Sequence, residues 1–140
     1  MSLYTAPTLT RSPATDKSYA YTDQGSVTLT PATGDVVNFL VIPAGTEIRE
    51  VVINNADLGT AAPINLGYAP LDGSAGSATA FASAYAADTA VAAGQPYHVI
   101  LASPIKVERD SFLQAVFGTV TGGASGAITV QAKGILLGAK

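Results

Sequence analysis

The chain has no cysteine, no tryptophan and only one histidine among its 140 residues. Without cysteine it can form neither a disulfide bond nor a thiolate zinc site, and a single histidine cannot supply the common zinc ligand sets. A domain of this length buries about 70% of the surface that its unfolded chain exposes, so its core can be stable without a disulfide bond or a structural metal ion. We therefore expect a protein without a metal ion or other cofactor.

Charge is also scarce. Asp, Glu, Lys and Arg make up 12% of the chain, against a usual share of about 25%, and the net charge is −3. The seven Lys and Arg residues are scattered, which argues against nucleic acid as a partner because phosphate binding needs a basic patch. A surface with few charges has little repulsion to keep neighbours apart, so it suits a protein that packs against other proteins. The alternative is a surface that is merely rich in small residues.

Long apolar runs are missing too. No stretch approaches the roughly 18 consecutive apolar residues of a membrane-spanning helix, so we expect no membrane partner. Residues 1–5 have neither the basic region nor the apolar core of a signal peptide. We therefore expect a protein that is made in the cytoplasm and stays there unless something else exports it.

The first 24 residues are predicted to form an extended or irregular arm, because Pro7 and Pro13 interrupt a segment with no apolar periodicity. Isolated apolar side chains in such an arm can lie across a neighbouring subunit; the alternative is a frayed terminus. The candidate partner-contact residues are Leu3, Tyr4, Leu9, Arg11, Tyr19 and Tyr21. Residues 25–140 are predicted to form a single β domain.

The patterns within residues 25–140 are those of β-strands. Residues 36–42 form a near-continuous apolar run, which predicts a strand covered on both faces. Residues 47–54 form another strand, in which the change of phase between Ile48 and Val51 indicates a bulge. The glycine-rich residues 122–126 predict a hairpin loop between the last two strands.

Residues 77–93 are the one segment with a helical pattern. Phe81 and Tyr85 are four residues apart with alanine between them, which favours one or two helical turns over an irregular crossover. About eight strands at short spacing, with at most one short helix, predict an all-β fold. The expected architecture is a jelly-roll-like β-sandwich.

The residues that could carry chemistry do not form a convincing set. His98 lies in a strand-like stretch without a nucleophile motif, so a polar-face or interface histidine is the favoured interpretation. Asp57 and Asp72 would bind calcium only if their loops met, and turn formation is more typical of them. Glu47 and Glu50 are a conceivable carboxylate pair, but they point to opposite faces of a strand unless a bulge intervenes. We assign no catalytic residue and expect no enzyme.

A resemblance to a known class covers about residues 26–137. It is carried by residues 34–48 (GDVVNFLVIPAGTEI), 55–60 (NADLGT), 66–68 (LGY) and 72–73 (DG). Together they resemble small structural proteins of tailed bacteriophages. In those, one strand runs into Ile-Pro-Ala-Gly, a second ends in an Asp-Leu-Gly-type loop, and a third ends in Gly-Tyr. Members of this kind are similar to capsid decoration, or cement, proteins.

The resemblance implies a jelly-roll sandwich that sits as homotrimers on the outside of the phage head, with the major capsid protein as partner. It also implies that the arm contacts the capsid or a neighbouring protomer. The expected location is then the capsid exterior of the virion, after synthesis in the host cytoplasm. The alternatives are a host-attachment or carbohydrate-binding module on a fibre or tail, with Tyr68, Tyr85 and Tyr97 as an aromatic platform, or a small hydrolase.

Overall fold

The structure, a computed structural model, describes residues 2–5, 19–87, 90 and 95–137. These residues form eleven β-strands and no helix, and therefore no helix that is long and apolar enough to span a membrane. The strands are β1 (Leu3–Thr5), β2 (Tyr19–Leu29), β3 (Val36–Ile42), β4 (Thr46–Asn55), β5 (Gly59–Thr60), β6 (Pro63–Pro70), β7 (Ser77–Ala86), β8 (Tyr97–Val107), β9 (Ser111–Phe117), β10 (Gly122–Gly123) and β11 (Gly126–Leu136).

Two main sheets pack face to face. One is four-stranded, in the order β2-β11-β4-β8, and the other is five-stranded, in the order β1-β3-β9-β6-β7. The short strands β5 and β10 pair with each other, and β1 joins the edge of β3 as a parallel strand. The remaining eight strands are antiparallel and have the connectivity of a jelly roll, which confirms the predicted fold class.

The core lies between the inner faces of the two sheets and is built from apolar side chains. Phe39, Leu40, Leu113, Phe117 and Ile128 are among its largest fully buried members. Strand β3 is buried along its whole length except at its first residue, so the burial that its apolar run predicts is confirmed, although no further layer of the described structure covers its outer side.

The predicted bulge in the second strand is also confirmed. The pairing of β4 with β8 shifts register between Ile48 and Glu50, and the pairing of β4 with β11 shifts between Lys133 and Gly134. A Cβ atom at Gly134 would lie only 1.9 Å from the carbonyl oxygen of Glu47. Only glycine therefore fits where the two strands approach closely at the bulge.

The prediction of helical turns within residues 77–93 is wrong for residues 77–86. Residues 77–86 form strand β7, which pairs with β6 and buries Phe81 in the core. Side chains four residues apart can share a face of either a helix or a strand, so the spacing of Phe81 and Tyr85 could not distinguish the two. Residues 88–89 and 91–94 lie outside the described residues.

The predicted hairpin at residues 122–126 is also wrong. The strands on either side of it, β9 and β11, belong to different sheets, so this segment crosses from one sheet to the other. Within it, β10 pairs with β5. Apolar alternation before and after a glycine-rich loop identifies two strands, but it does not identify their sheets, because the inner faces of both sheets are equally apolar.

Candidate interaction surfaces

The predicted arm is partly integrated into the sandwich. Leu3 lies on β1 with 66% of its surface exposed, and Tyr4 on the same strand packs against the core. Strand β2 begins at Tyr19, before the predicted end of the arm, and Tyr21 on this strand is buried at 4% exposure. Leu9 and Arg11 lie outside the described residues. Of the described side chains in the predicted contact set, Leu3 is thus exposed, Tyr4 is partly buried and Tyr21 belongs to the core.

A buried carboxylate holds β1 in place. Asp35 is 1% exposed; its Oδ1 accepts the Ser2 backbone N–H at 3.0 Å and its Oδ2 accepts the Ala32 N–H at 2.9 Å. The Val36 N–H donates to the Ser2 carbonyl oxygen at 3.0 Å, and this bond continues the parallel pairing of β1 with β3. From the sequence alone, Gly34-Asp35 predicts only a turn, because a carboxylate next to a glycine gives no local sign of a distant backbone partner.

Replacing Asp35 with alanine is expected to lower the free energy of unfolding by about 2 kcal/mol, because two backbone donors lose their acceptor. The Asp35→Asn variant keeps one acceptor oxygen and should lose about half as much. Urea denaturation followed by circular dichroism measures both. An Asp35→Ala protein as stable as the original would show that the carboxylate does not anchor β1.

Charge is divided unevenly between the two sheets. Among the described residues of β1, β3, β6, β7 and β9, none is Asp, Glu, Lys or Arg. The four-stranded sheet contains all the charged strand residues, which are Asp23, Glu47, Arg49, Glu50, Lys106 and Lys133. The sandwich therefore has one sheet with an uncharged outer face and one with a charged outer face.

The outer face that β1, β3, β9 and β6 form together, which we call the uncharged face, carries apolar, amide and hydroxyl side chains. The pairing places Leu3, Val36 and Val116 side by side in one row across β1, β3 and β9. In the next row the Gln114 Nε2 donates to the Asn38 Oδ1 at 2.9 Å. Val36, Val116 and Gln114 are half-buried within the chain itself, so their remaining surface is accessible to a flat partner.

The outer face of the four-stranded sheet carries ion pairs. The Nδ1 of His98 lies 2.9 Å from Oε2 of Glu50, and the Nζ of Lys133 lies 3.7 Å from the other oxygen of the same carboxylate. Glu47 is paired with Arg49 at 2.7 Å. Each carboxylate of the Glu47 and Glu50 pair thus has its own cation, and His98 is a polar-face histidine.

The two aspartates that were considered for calcium are far apart in the fold. Asp57 precedes β5 and β6, and Asp72 follows the other end of β6. Asp57 accepts the Gly59 N–H and Asp72 accepts the Ser74 N–H, both at 2.9 Å, so each closes its own turn. The hydrogen bonds from Ser74 and the ion pair with Arg109 lower the pKa of Asp72. No group of three or more His, Cys, Asp or Glu side chains suited to a metal ion occurs in the part of the chain that the structure describes.

The three tyrosines of the predicted aromatic platform are separated into two ring contacts. Tyr68 packs against Phe81 with ring centroids 6.2 Å apart, and Tyr85 packs against Tyr97 at 5.2 Å. The second pair lies at the side of the sandwich where the edge strands β7 and β8 approach each other.

Comparison with solved structures finds this fold in phage capsids. A chain of the Ralstonia phage GP4 capsid aligns with a TM-score of 0.69 and 17% identity, over 99% of this chain and 99% of that chain. A chain of the cyanophage Pam1 capsid asymmetric unit aligns with a TM-score of 0.65 and 19% identity, over 91% of this chain and 92% of that chain. Neither a protein-family model nor a curated protein sequence matches this chain. The resemblance seen in the sequence is thus confirmed at the level of the fold.

Proposed function

We propose that this chain is a phage capsid decoration protein without enzymatic activity. In this proposal it binds the major capsid protein on the outside of the head lattice, as a homotrimer, after synthesis in the host cytoplasm. The observation that carries the proposal is the uncharged face, since the main sheet whose described strands contain no charged residue is also the sheet to which the exposed Leu3 belongs. The occurrence of the fold in two phage capsids supports it.

The uneven division of charge favours one orientation on the shell. Burying an unpaired charge against a partner costs several kcal/mol, whereas burying apolar and amide groups that keep their hydrogen bonds costs little. The uncharged face can therefore be covered without that penalty, and the Asn38–Gln114 hydrogen bond on it is already made. The ion-paired face of the four-stranded sheet remains in water, where its charges are well solvated.

As a trimer, the protein can bind the capsid tightly even if the contact of each subunit is weak. A half-buried face offers only a modest contact area in each subunit, but three linked copies on a regular lattice bind with far higher avidity than one. A protein that binds only the mature arrangement of the shell stabilises that arrangement by mass action. Stabilisation of the head therefore follows from binding alone and needs no chemistry.

The experiment is a binding titration with purified empty capsids in the expanded and unexpanded states. We expect saturable uptake of about one trimer per lattice site on expanded shells and an increase in their melting temperature. Lack of uptake by either form would contradict the proposal. A glycan array run in parallel tests the host-attachment alternative, which glycan binding without capsid uptake would favour.

Truncation of Leu3 tests the contribution of the arm. Leu3→Ala is expected to weaken capsid binding by about tenfold, since an exposed apolar side chain at a buried contact contributes on the order of 1–2 kcal/mol. Leu71→Ala is the matched control because Leu71, also exposed at 48%, lies beyond β6 and outside the uncharged face. Removal of residues 1–18 should weaken binding further while β2, which begins at Tyr19, keeps its pairing with β11. Equal binding by the two leucine variants would exclude Leu3 from the contact.

A further inference from the structure

A groove lies between strands β7 and β8, the neighbouring edge strands of the two sheets. Its volume is about 440 Å³, and its described lining consists of residues 81–86 of β7 together with Tyr97 and Val99 of β8. Small-molecule sites in proteins have volumes of about 300–1,000 Å³. The groove is separate from the uncharged face, since it opens at the side of the sandwich opposite to the β1 edge.

The aromatic walls of the groove are held in fixed positions. The Tyr85 hydroxyl donates to the Asn55 Oδ1 at 2.6 Å, and its ring packs against Tyr97 with centroids 5.2 Å apart at an angle of 38°. Burial, and then the neighbouring Tyr97, raise the pKa of Tyr85, so its hydroxyl stays a neutral donor at physiological pH. Tyr97 remains 51% exposed and presents its ring to the groove.

The backbone of one wall is strained. Ala84 has φ = 54°, a left-handed conformation that is uncommon for a residue with a side chain, and its N–H donates to the Asn65 Oδ1 at 2.9 Å. Such strain costs on the order of 1 kcal/mol and occurs preferentially at binding sites. Here it coincides with the register shift between Ile64 and Leu66 in the pairing of β6 with β7, immediately before Tyr85. The strained conformation at Ala84 therefore sets the position of Tyr85, which forms the wall.

The lining favours a neutral ligand over an ionic one. None of the described lining residues is charged, and the nearest titratable neighbour in sequence, His98, makes its contact with Glu50 on the outer face of the sheet. An anion or cation in the groove would therefore lose water without gaining a partner of opposite charge.

An extended peptide fits the groove poorly. Strand β7 is interrupted by its register shifts, and β8 is interrupted by residues 101–104, which include Pro104. Bulges and proline at an edge strand prevent the continuous backbone pairing that strand addition requires.

We propose that this groove binds a neutral saccharide, with an apolar face of the sugar ring against Tyr97 and its hydroxyl groups bonded to backbone groups of the edge strands and to tyrosine hydroxyls. An amphipathic aromatic ring with a polar tip matches a ligand that has one apolar face and a hydroxylated rim. The groove combines two fixed aromatic rings with a few polar groups, which is the composition typical of small-ligand sites. This inference does not depend on the proposed role on the capsid, since the groove and the uncharged face share no residue.

The test is a calorimetric titration of the full chain with the methyl glycosides of glucose, galactose and N-acetylglucosamine, and with glucuronic acid as the anionic probe. Tyrosine fluorescence provides a second readout, because the chain has no tryptophan. We expect at least one neutral glycoside to bind and glucuronic acid to bind at least about tenfold more weakly. Tyr97→Ala should reduce the affinity for that glycoside by about tenfold.

Two variants serve as controls for the titration. Tyr97→Phe keeps the ring and should retain most of the affinity, and Ile100→Ala removes an exposed side chain of the same strand, 77% exposed and outside the lining, and should change nothing. The proposal is overturned if no neutral glycoside binds or if Tyr97→Ala binds the glycoside as well as the original protein does. It is also overturned if the only effect of Tyr97→Ala is to dissociate an oligomer, without a change in glycoside affinity. Capsid uptake of Tyr97→Ala, measured separately, should equal that of the original protein.

Discussion

Introducing a charge at Val116 is expected to weaken capsid binding by at least about tenfold, for either sign of the charge. Val116 lies in the middle of the uncharged face, between Val36 on β3 and Asn65 on β6. Covering an unpaired charge there costs on the order of 2 kcal/mol or more per subunit, and in the proposed trimer the loss recurs at every subunit. Because the penalty comes from desolvation, Val116→Glu and Val116→Lys should both be defective.

The matched control is the same pair of charges at Gln131. Gln131 is a half-buried residue in the middle of β11, and its neighbours Val130 and Ala132 point into the core, so its side chain lies on the opposite outer face. Gln131→Glu and Gln131→Lys should bind capsids as the original protein does. Circular dichroism melting verifies that all four variants are folded. If the Gln131 variants lost binding and the Val116 variants kept it, the charged face would be the contact surface.

Replacing Phe39 with alanine is expected to lower the free energy of unfolding by about 3–5 kcal/mol. Phe39 is 0% exposed and belongs to the core cluster between the sheets. The backbone of β2 is close to it, since a Cβ atom at Gly25 would lie 1.9 Å from the Phe39 carbonyl oxygen. Strand β2 therefore has little room to move inward. A large part of the cavity that the removed Phe39 ring leaves should persist. Such a loss is a large fraction of the roughly 5–15 kcal/mol that stabilises a domain.

Phe112→Ala is the control for the core substitution, because Phe112 is a half-buried phenylalanine on β9. Phe112→Ala should lower the free energy of unfolding by less than half as much as Phe39→Ala, because the substitution removes less buried surface and opens no enclosed cavity. Urea denaturation followed by tyrosine fluorescence measures both. Phe39→Leu leaves a smaller cavity and keeps the comparison possible if the alanine variant does not fold. Equal losses at Phe39 and Phe112 would contradict the assignment of the core to the space between the sheets.

The sequence predicts the strands well where a local pattern determines them. The apolar run of β3 and the change of phase in β4 each reflect burial within a single strand, so the sequence alone predicts both. Strand β7 was mistaken for helical turns because its alanines favour a helix, and pairing with β6 overrode that preference. The strand assignment of residues 122–123 depends on β5, which is distant in sequence.

The candidate surfaces depend on topology and were much less predictable. The chain passes repeatedly between the two sheets, so the strands without charge are interleaved in the sequence with strands that carry charge. The lack of charge in a single strand does not indicate a shared face, and only the sheet order brings Leu3, Val36 and Val116 into one row. The sequence shows Tyr85 and Tyr97 as aromatic residues, but their contact arises from two edge strands in different sheets.

The proposed function requires that this β-sandwich contact other proteins through the five-stranded sheet, whose described strands carry no charged residue. The most direct measurement is a cryo-electron microscopy map of expanded capsids incubated with the protein. The proposed function predicts trimers on the outer lattice, with Leu3, Val36 and Val116 against the shell and the Glu50, His98 and Lys133 side chains facing the solvent. Bare shells at saturating protein, or trimers with that ion-paired face against the shell, would contradict it.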